Sequence, residues 1–213
     1  MTFDTPLSPR TLKLSGLACR RGERLLFKGL DLTLLPGQLA QLRGPNGAGK
    51  TSLLLCLAGI IAITAGSIVV EGRDPEDRPG ADLGFLPHQS AIKPRLSVAE
   101  NLSFWAAMNG SEQAAVQPAL EIVGLGPIAG IDAGHLSAGQ TRRLALARLI
   151  ATDRPIWLLD EPTAALDASG EALVGTLIDR HLDRGGIVVA ATHHDLALGD
   201  DTRIRTITLG API

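Results

Sequence analysis

Near the start of the chain apolar and polar residues alternate in short runs, at Thr11-Leu12-Lys13-Leu14 and Leu30-Asp31-Leu32-Thr33-Leu34. A period of two puts every second side chain on one face, so these runs predict half-buried strands. The turn-forming groups Arg21-Gly22-Glu23 and Leu35-Pro36-Gly37-Gln38 separate the runs and predict antiparallel pairing. A further strand is expected over residues 67–70, ending in the turn Glu71-Gly72-Arg73-Asp74-Pro75. Leu39-Ala40-Gln41-Leu42-Arg43 reads as a short strand, and Ser52-Leu53-Leu54-Leu55-Cys56-Leu57-Ala58 as a buried helix. From residue 97 to 151 the period turns helical, opening with Ser97-Val98-Ala99-Glu100 at capping-box spacing. Two nearly continuous apolar runs follow, Ile156-Trp157-Leu158-Leu159-Asp160 and Ile187-Val188-Val189-Ala190-Ala191, around a helix over about 169–184. Strands apolar on both faces with a helix between them imply a parallel sheet. The expected fold is α/β, a mainly parallel sheet core with an N-terminal antiparallel β subdomain. Residues 1–213 read as a single domain, with a helical insert over about 90–150.

Composition narrows the function. With 213 residues, 45% apolar and 20% charged, the chain can bury a large core, and a formal net charge of −2 offers no basic footprint for nucleic acid. Nucleic acid is therefore not an expected partner. Cys19 and Cys56 have no metal-ligand spacing and suit a reducing cytosol, where both act as small apolar residues. The first six residues lack the basic and apolar regions of a signal peptide, so a cytoplasmic location is expected. The longest apolar run, 53–63, is interrupted by Gly59 and falls short of the ~20 residues a bilayer needs. Any membrane role is expected to come through a partner.

The chemistry is concentrated in three segments. Gly44-Pro45-Asn46-Gly47-Ala48-Gly49-Lys50-Thr51 fits the phosphate-loop pattern G-x-x-x-x-G-K-[ST] between a strand and a helix. Glycines let the backbone wrap a phosphate with its N–H groups inward, and the helix N-terminus adds its dipole. Lys50 is placed to reach the β- and γ-phosphates of ATP, and the Thr51 hydroxyl to ligate Mg²⁺. Asp160 ends a buried strand, where it would hold Mg²⁺ through its water shell, and Glu161 would polarise or deprotonate the attacking water. A solvated strand end is the other reading of these two acids. Ser137-Ala138-Gly139-Gln140 has capping-box spacing and opens a helix whose free N–H groups make a second anion site. One nucleotide already has its γ-phosphate site in the glycine loop. The second site then serves a nucleotide held by another subunit.

These segments, in this order, resemble the nucleotide-binding subunits of ATP-binding-cassette transporters, and the resemblance runs over about residues 12–209. It implies the P-loop NTPase fold of that type and adds three loops. A glutamine loop falls on Gln89, which would ligate Mg²⁺ and sense the membrane subunit. Ala165-Leu166-Asp167 matches the D-loop, and the switch histidine is His193 or its neighbour His194, with His193 preferred because it follows Thr192 directly off the strand. Leu136 to Gln140 match the signature motif. The family forms an ATP-sandwich homodimer, in which Ser137 and Gly139 of one subunit close on the γ-phosphate held by Lys50 of the other. Two positions depart from the pattern. At Arg20-Arg21-Gly22 an arginine stands where an aromatic ring is expected against adenine; Arg21 can stack there with weaker base discrimination. Ala138 replaces a glycine.

The variant Leu-Ser-Ala-Gly-Gln at 136–140 and the stretches 88–104 and 185–193 are similar to the ATPases of bacterial cytochrome c maturation, the haem exporter family. That likeness implies a peripheral protein on the cytoplasmic face of the inner membrane, docked to integral membrane subunits. ATP would drive haem export, or haem release from its chaperone complex. No C-x-x-C-H is present and no histidine is placed to ligate iron; His88, His135 and His181 read as surface or capping residues. An ATPase of a drug or lipid exporter would share every motif. A soluble cassette ATPase usually carries two cassettes or a long coiled coil, and a non-hydrolysing module would not keep both Lys50 and Glu161.

Overall fold

The computed structural model describes residues 5–74, 76–78, 80–193, 196 and 198–210. The first four residues, Pro75 of the expected turn and His194 lie outside these. Two sheets form. Strands β1 (Thr11–Arg21), β2 (Arg24–Leu34) and β4 (Ala65–Glu71) make an antiparallel sheet in the order β2-β1-β4. Strands β3 (Leu39–Arg43), β5 (Leu83–Leu86), β6 (Ile156–Asp160), β7 (Ile187–Ala191) and β8 (Ile204–Thr208) make a parallel sheet in the order β5-β6-β7-β3-β8. The helices are α1 (Lys50–Leu57), α2 (Val98–Met108), α3 (Val116–Ile122), α4 (Ala138–Thr152) and α5 (Ala168–Asp183). This is the α/β fold expected, a parallel core beside an antiparallel sheet.

The two apolar runs are continuous because β6 and β7 have a core on each side. Trp157, Leu159, Val188 and Ala190 face a cluster with Val98, Leu102, Leu120, Leu146 and Leu177, from α2 to α5. Ile156, Leu158, Ile187 and Val189 face another with Leu14, Phe27, Leu53 and Leu54, from the antiparallel sheet and α1. Each such side chain contributes about 1.5–3 kcal/mol when taken from water. The helical region opens as its spacing predicts: Ser97 Oγ accepts from the Glu100 N–H at 3.1 Å, and Glu100 Oε2 accepts from the Ser97 N–H at 2.8 Å.

Three features differ from the sequence reading. The runs at 11–14 and 30–34 are the ends of two eleven-residue strands. Their middles lose strict alternation because the register shifts between Leu14 and Leu17 and again at Cys19, with Gly16 at φ 57° in the first shift. Strand β5 is four residues with a glycine inside, too short to carry a period. Strand β8 is an edge strand whose side chains are half or fully exposed, so it has no apolar run. Among the described residues no helix is long and apolar enough to cross a membrane.

Candidate nucleotide site

The glycine loop links the end of β3 to the start of α1. At Gly44, φ is 141° and a Cβ would stand 2.3 Å from the Leu209 carbonyl oxygen, so only glycine fits between the loop and the strand end beside it. Gly49 caps α1 in the left-handed region at φ 101°, and no side chain satisfies the first N–H groups of the helix. No acid in the first turn offsets its dipole. Open N–H groups and an uncompensated dipole favour an anion. Helix α1 starts at Lys50, two residues before the helix read from sequence, which puts Lys50 and Thr51 in its first turn. Lys50 is buried, and its Nζ donates to the Gly44 carbonyl at 2.7 Å and the Pro45 carbonyl at 3.3 Å.

Across the loop, Thr51 Oγ1 donates to Asp160 Oδ2 at 3.0 Å and lies 3.2 Å from Oδ1. A hydroxyl from α1 and a buried carboxylate from the end of β6 thus converge, an all-oxygen donor set of the kind hard divalent cations take. Glu161 follows at φ 48°, a left-handed conformation rare for a residue with a side chain, and its N–H donates to Ala191 O at 2.8 Å. His193 Nε2 lies 3.3 Å from Lys50 Nζ and 3.5 Å from Glu161 Oε1. One ring nitrogen cannot serve both neighbours at once: it accepts from the ammonium when bare and donates to the carboxylate when protonated.

These groups border one cavity of about 540 Å³, whose lining includes Asn46, Gly47, Ala48, Gly49, Lys50, Thr51, Asp160, Glu161 and His193. Arg21 lines it from the end of β1. Sequence reasoning missed Arg24 and Leu26, which line it from β2; the Arg24 guanidinium lies 3.7 Å from where a Cβ on Gly47 would be. Nothing local marks them, since a hairpin reaches the loop only in three dimensions. Gln89 is exposed and does not line the cavity, whereas its neighbour His88 does. Gly44 and Pro45 contribute carbonyls to Lys50 from behind the lining.

Ser137, Gly139 and Gln140 lie outside that cavity, at the start of α4. Ser137 Oγ accepts from the Gln140 N–H at 3.2 Å and Gln140 Oε1 accepts from the Ser137 N–H at 2.9 Å, a complete capping box. Ser137 itself is exposed. A Cβ on Gly139 would lie 3.2 Å from the Ala165 carbonyl, so the 165–167 turn packs on this helix end. Asp167 caps α5, and the N–H of Gly170 and the hydroxyl of Ser169 hold its carboxyl below the usual range.

A third missed residue is Arg142, 3% exposed among the apolar residues of α4. Its guanidinium donates to four main-chain carbonyls: Pro87 at 2.8 Å, Asp160 at 2.6 Å, Glu161 at 2.5 Å and Pro162 at 3.3 Å. Burial pushes it down to about 10, against the pull of Asp160 and Glu161, which leaves it charged at neutral pH. The sequence pair Arg142-Arg143 gives no sign of which arginine is buried. His88 and His135 are exposed, but His181 is not the surface or capping residue expected. It is wholly buried, stacked on Trp157 at 3.9 Å between ring centroids, with Nε2 3.2 Å from Pro155 O. Burial pushes its pKa down to about 3.

Residues 27–164 match the family described as ABC transporter. The chain is 50% identical over 184 residues to the cytochrome c biogenesis ATP-binding export protein CcmA of Nitrobacter winogradskyi, covering 86% of this chain and 92% of that protein. It is 52% identical over 183 residues to the protein of the same name in Rhodopseudomonas palustris, with the same coverage. Among solved structures, the ATP-binding cassette MJ0796, seen as a dimer in a post-hydrolysis state bound to ADP and Pi, aligns with a TM-score of 0.77 at 25% identity, covering 93% of this chain and 94% of the other. A putative ABC transporter ATP-binding protein from Pyrococcus furiosus has a TM-score of 0.79 at 22% identity, over 93% of this chain and 97% of the other, and shares the fold.

Proposed function

The chain belongs to the ABC transporter family, and from that membership we propose that it is the ATP-hydrolysing subunit of an export complex serving c-type cytochrome biogenesis. The observation that carries the chemistry is the meeting of an open helix N-terminus, the Thr51–Asp160 oxygen pair and Glu161 around one cavity. The loop N–H groups and Lys50 bind the triphosphate of ATP. The phosphate oxygens take the place of the carbonyls that Lys50 now contacts. Thr51 and Asp160 fit Mg²⁺, which when bound would neutralise charge on the phosphates. Glu161 orients water and accepts its proton, which general-base catalysis makes worth about 10²–10⁴ in rate. His193, between Lys50 and Glu161, contacts the γ-phosphate. Arg21 stacks on adenine, with Leu26 giving apolar contact beside it.

Ser137, Gly139 and Gln140 lie away from the cavity, which suits a role on the nucleotide of a second copy, in a homodimer. Gln89 reaches the cation when the loop after Pro87 moves inward on docking to an integral membrane subunit. The whole chain then works as one ATPase domain with a helical insert over about 90–150. It sits peripherally on the cytoplasmic face of the inner membrane and powers haem export or haem release from its chaperone complex. The CcmA relatives are named as export proteins of cytochrome c biogenesis, which supports this reading over a drug or lipid exporter.

The test is a haem stain of membrane c-type cytochromes in cells lacking the protein, complemented with wild type or with Lys50→Ala. Loss of stain restored by wild type alone is the expected result. Persistence of the cytochromes would leave an ATPase that serves another exporter.

A further inference from the structure

Arg142 stands on the second turn of α4, with its guanidinium fork at the meeting point of three segments. A buried arginine commonly pairs with a carboxylate; here the guanidinium donates to four main-chain carbonyls. They lie just past the end of β5, at Pro87, and at the end of β6 and the turn after it, at Asp160, Glu161 and Pro162. Two of the bonds go to the residue before the left-handed one and to the left-handed residue itself, Glu161 at φ 48°. Such a conformation persists where surrounding contacts over-determine it. The third segment is α4 itself, which begins five residues upstream at the Ser137 cap.

We propose that Arg142 is a positioning residue for ATP hydrolysis: its fork fixes the main chain of residues 160–162 so that the Glu161 carboxylate is aimed at the attacking water. It also ties that aim to the 87–89 loop and to the start of α4. The proposal rests on the reading of Glu161 as the group that takes the proton. A guanidinium suits the task because its five N–H donors lie in one rigid plane and reach carbonyls on several sides, whereas an ammonium offers its donors from a single point. Movement of either tied segment is then felt at Glu161. Small displacements suffice, since a misplacement of ~1 Å can cost about 10²-fold in rate.

The full chain is compared as wild type, Arg142→Lys, Arg142→Met and Glu161→Gln, in the preparation in which wild type turns over. The measurements are kcat, KM for ATP, affinity for a fluorescent ATP analogue and melting temperature. The expected result for Arg142→Lys is a kcat lowered about 10-fold or more. Its KM and affinity stay within about 2-fold, because the loop and Lys50 that bind phosphate are untouched. Arg142→Met leaves the carbonyls unpaired and lowers kcat further; if it does not fold, the lysine variant decides. Wild-type kcat in Arg142→Lys overturns the proposal. So does a fall in kcat matched by equal losses of affinity and melting temperature, which marks a purely structural residue. Glu161→Gln separates the two readings. If it retains wild-type turnover, the assignment of Glu161 fails and this inference falls with it; if it is inactive while Arg142→Lys is fully active, only the role of Arg142 falls.

Discussion

Helices α1 and α4 both present N-termini suited to anions, but their ends are finished differently. Gly49 caps α1 and supplies no side chain, so the first-turn N–H groups stay open to the glycine loop. Ser137 caps α4 and is engaged with Gln140 in a reciprocal pair of hydrogen bonds. The open end offers an anion its N–H groups within a single chain. The closed end has spent part of its donor capacity on itself, and its exposed serine has contacts to gain mainly from a ligand brought by another molecule. On the function proposed above, one helix binds in the isolated subunit and the other responds to assembly.

The largest effect that could break this contrast is Ser137→Arg. An arginine at the closed end should reduce ATP turnover to background while nucleotide affinity, set at α1, stays within about 2-fold in equilibrium titration. Loss of affinity in that variant would show that the two ends are not separate. Lys50→Ala tests the open end and should weaken ATP binding by about 10- to 100-fold, the range for losing a charge-assisted hydrogen bond. The same substitution removes the Nζ bonds to the Gly44 and Pro45 carbonyls, so the melting temperature of the nucleotide-free protein should fall by about 2–4 °C.

One acid-sensitive group, His181, belongs to neither end and sets a background for both. His181 is neutral in the fold with a pKa of about 3, against 6.5 for the ordinary side chain. The unfolded chain therefore takes up a proton that the folded one refuses as pH falls below 6.5, and stability present above that pH is progressively lost. Between pH 6.5 and 5, urea midpoints should report a decline approaching 1.4 kcal/mol per pH unit from this group, flattened in His181→Phe. The smallest effect is Ser137→Ala, which removes the α4 cap. It should cost about 1 kcal/mol and lower the melting temperature by about 2–4 °C, whereas at α1 there is no side-chain cap to remove.

Where hydrogen bonds join residues close in sequence, the structure was legible from spacing. The boxes at Ser97 and Ser137 are of this kind, as is the glycine loop between β3 and α1. Runs such as Ile187–Ala191 were legible because burial on both faces leaves no polar position. Strands β5 and β8 were not, one being too short and the other too exposed to leave a hydrophobic pattern. Arg24, Leu26 and Arg142 were missed for another reason. Each acts through partners far along the chain, and an arginine reads the same in sequence whether it ends up in water or beneath two strand ends.

Strand β3 leads into the glycine loop, yet its hydrogen-bonded neighbours are β7 and β8, and Gly44 rests against the carbonyl of Leu209. Within the parallel sheet, the strand synthesised first is completed by two that come after β5 and β6. At about 5–20 residues per second, β3 waits on the order of 10 to 30 seconds on the ribosome with both edges unpaired. The surroundings of the nucleotide loop are thus complete only once β8 has been made, and a chain that stalls before β8 carries the phosphate-loop sequence without the strand and the Leu209 carbonyl it rests against.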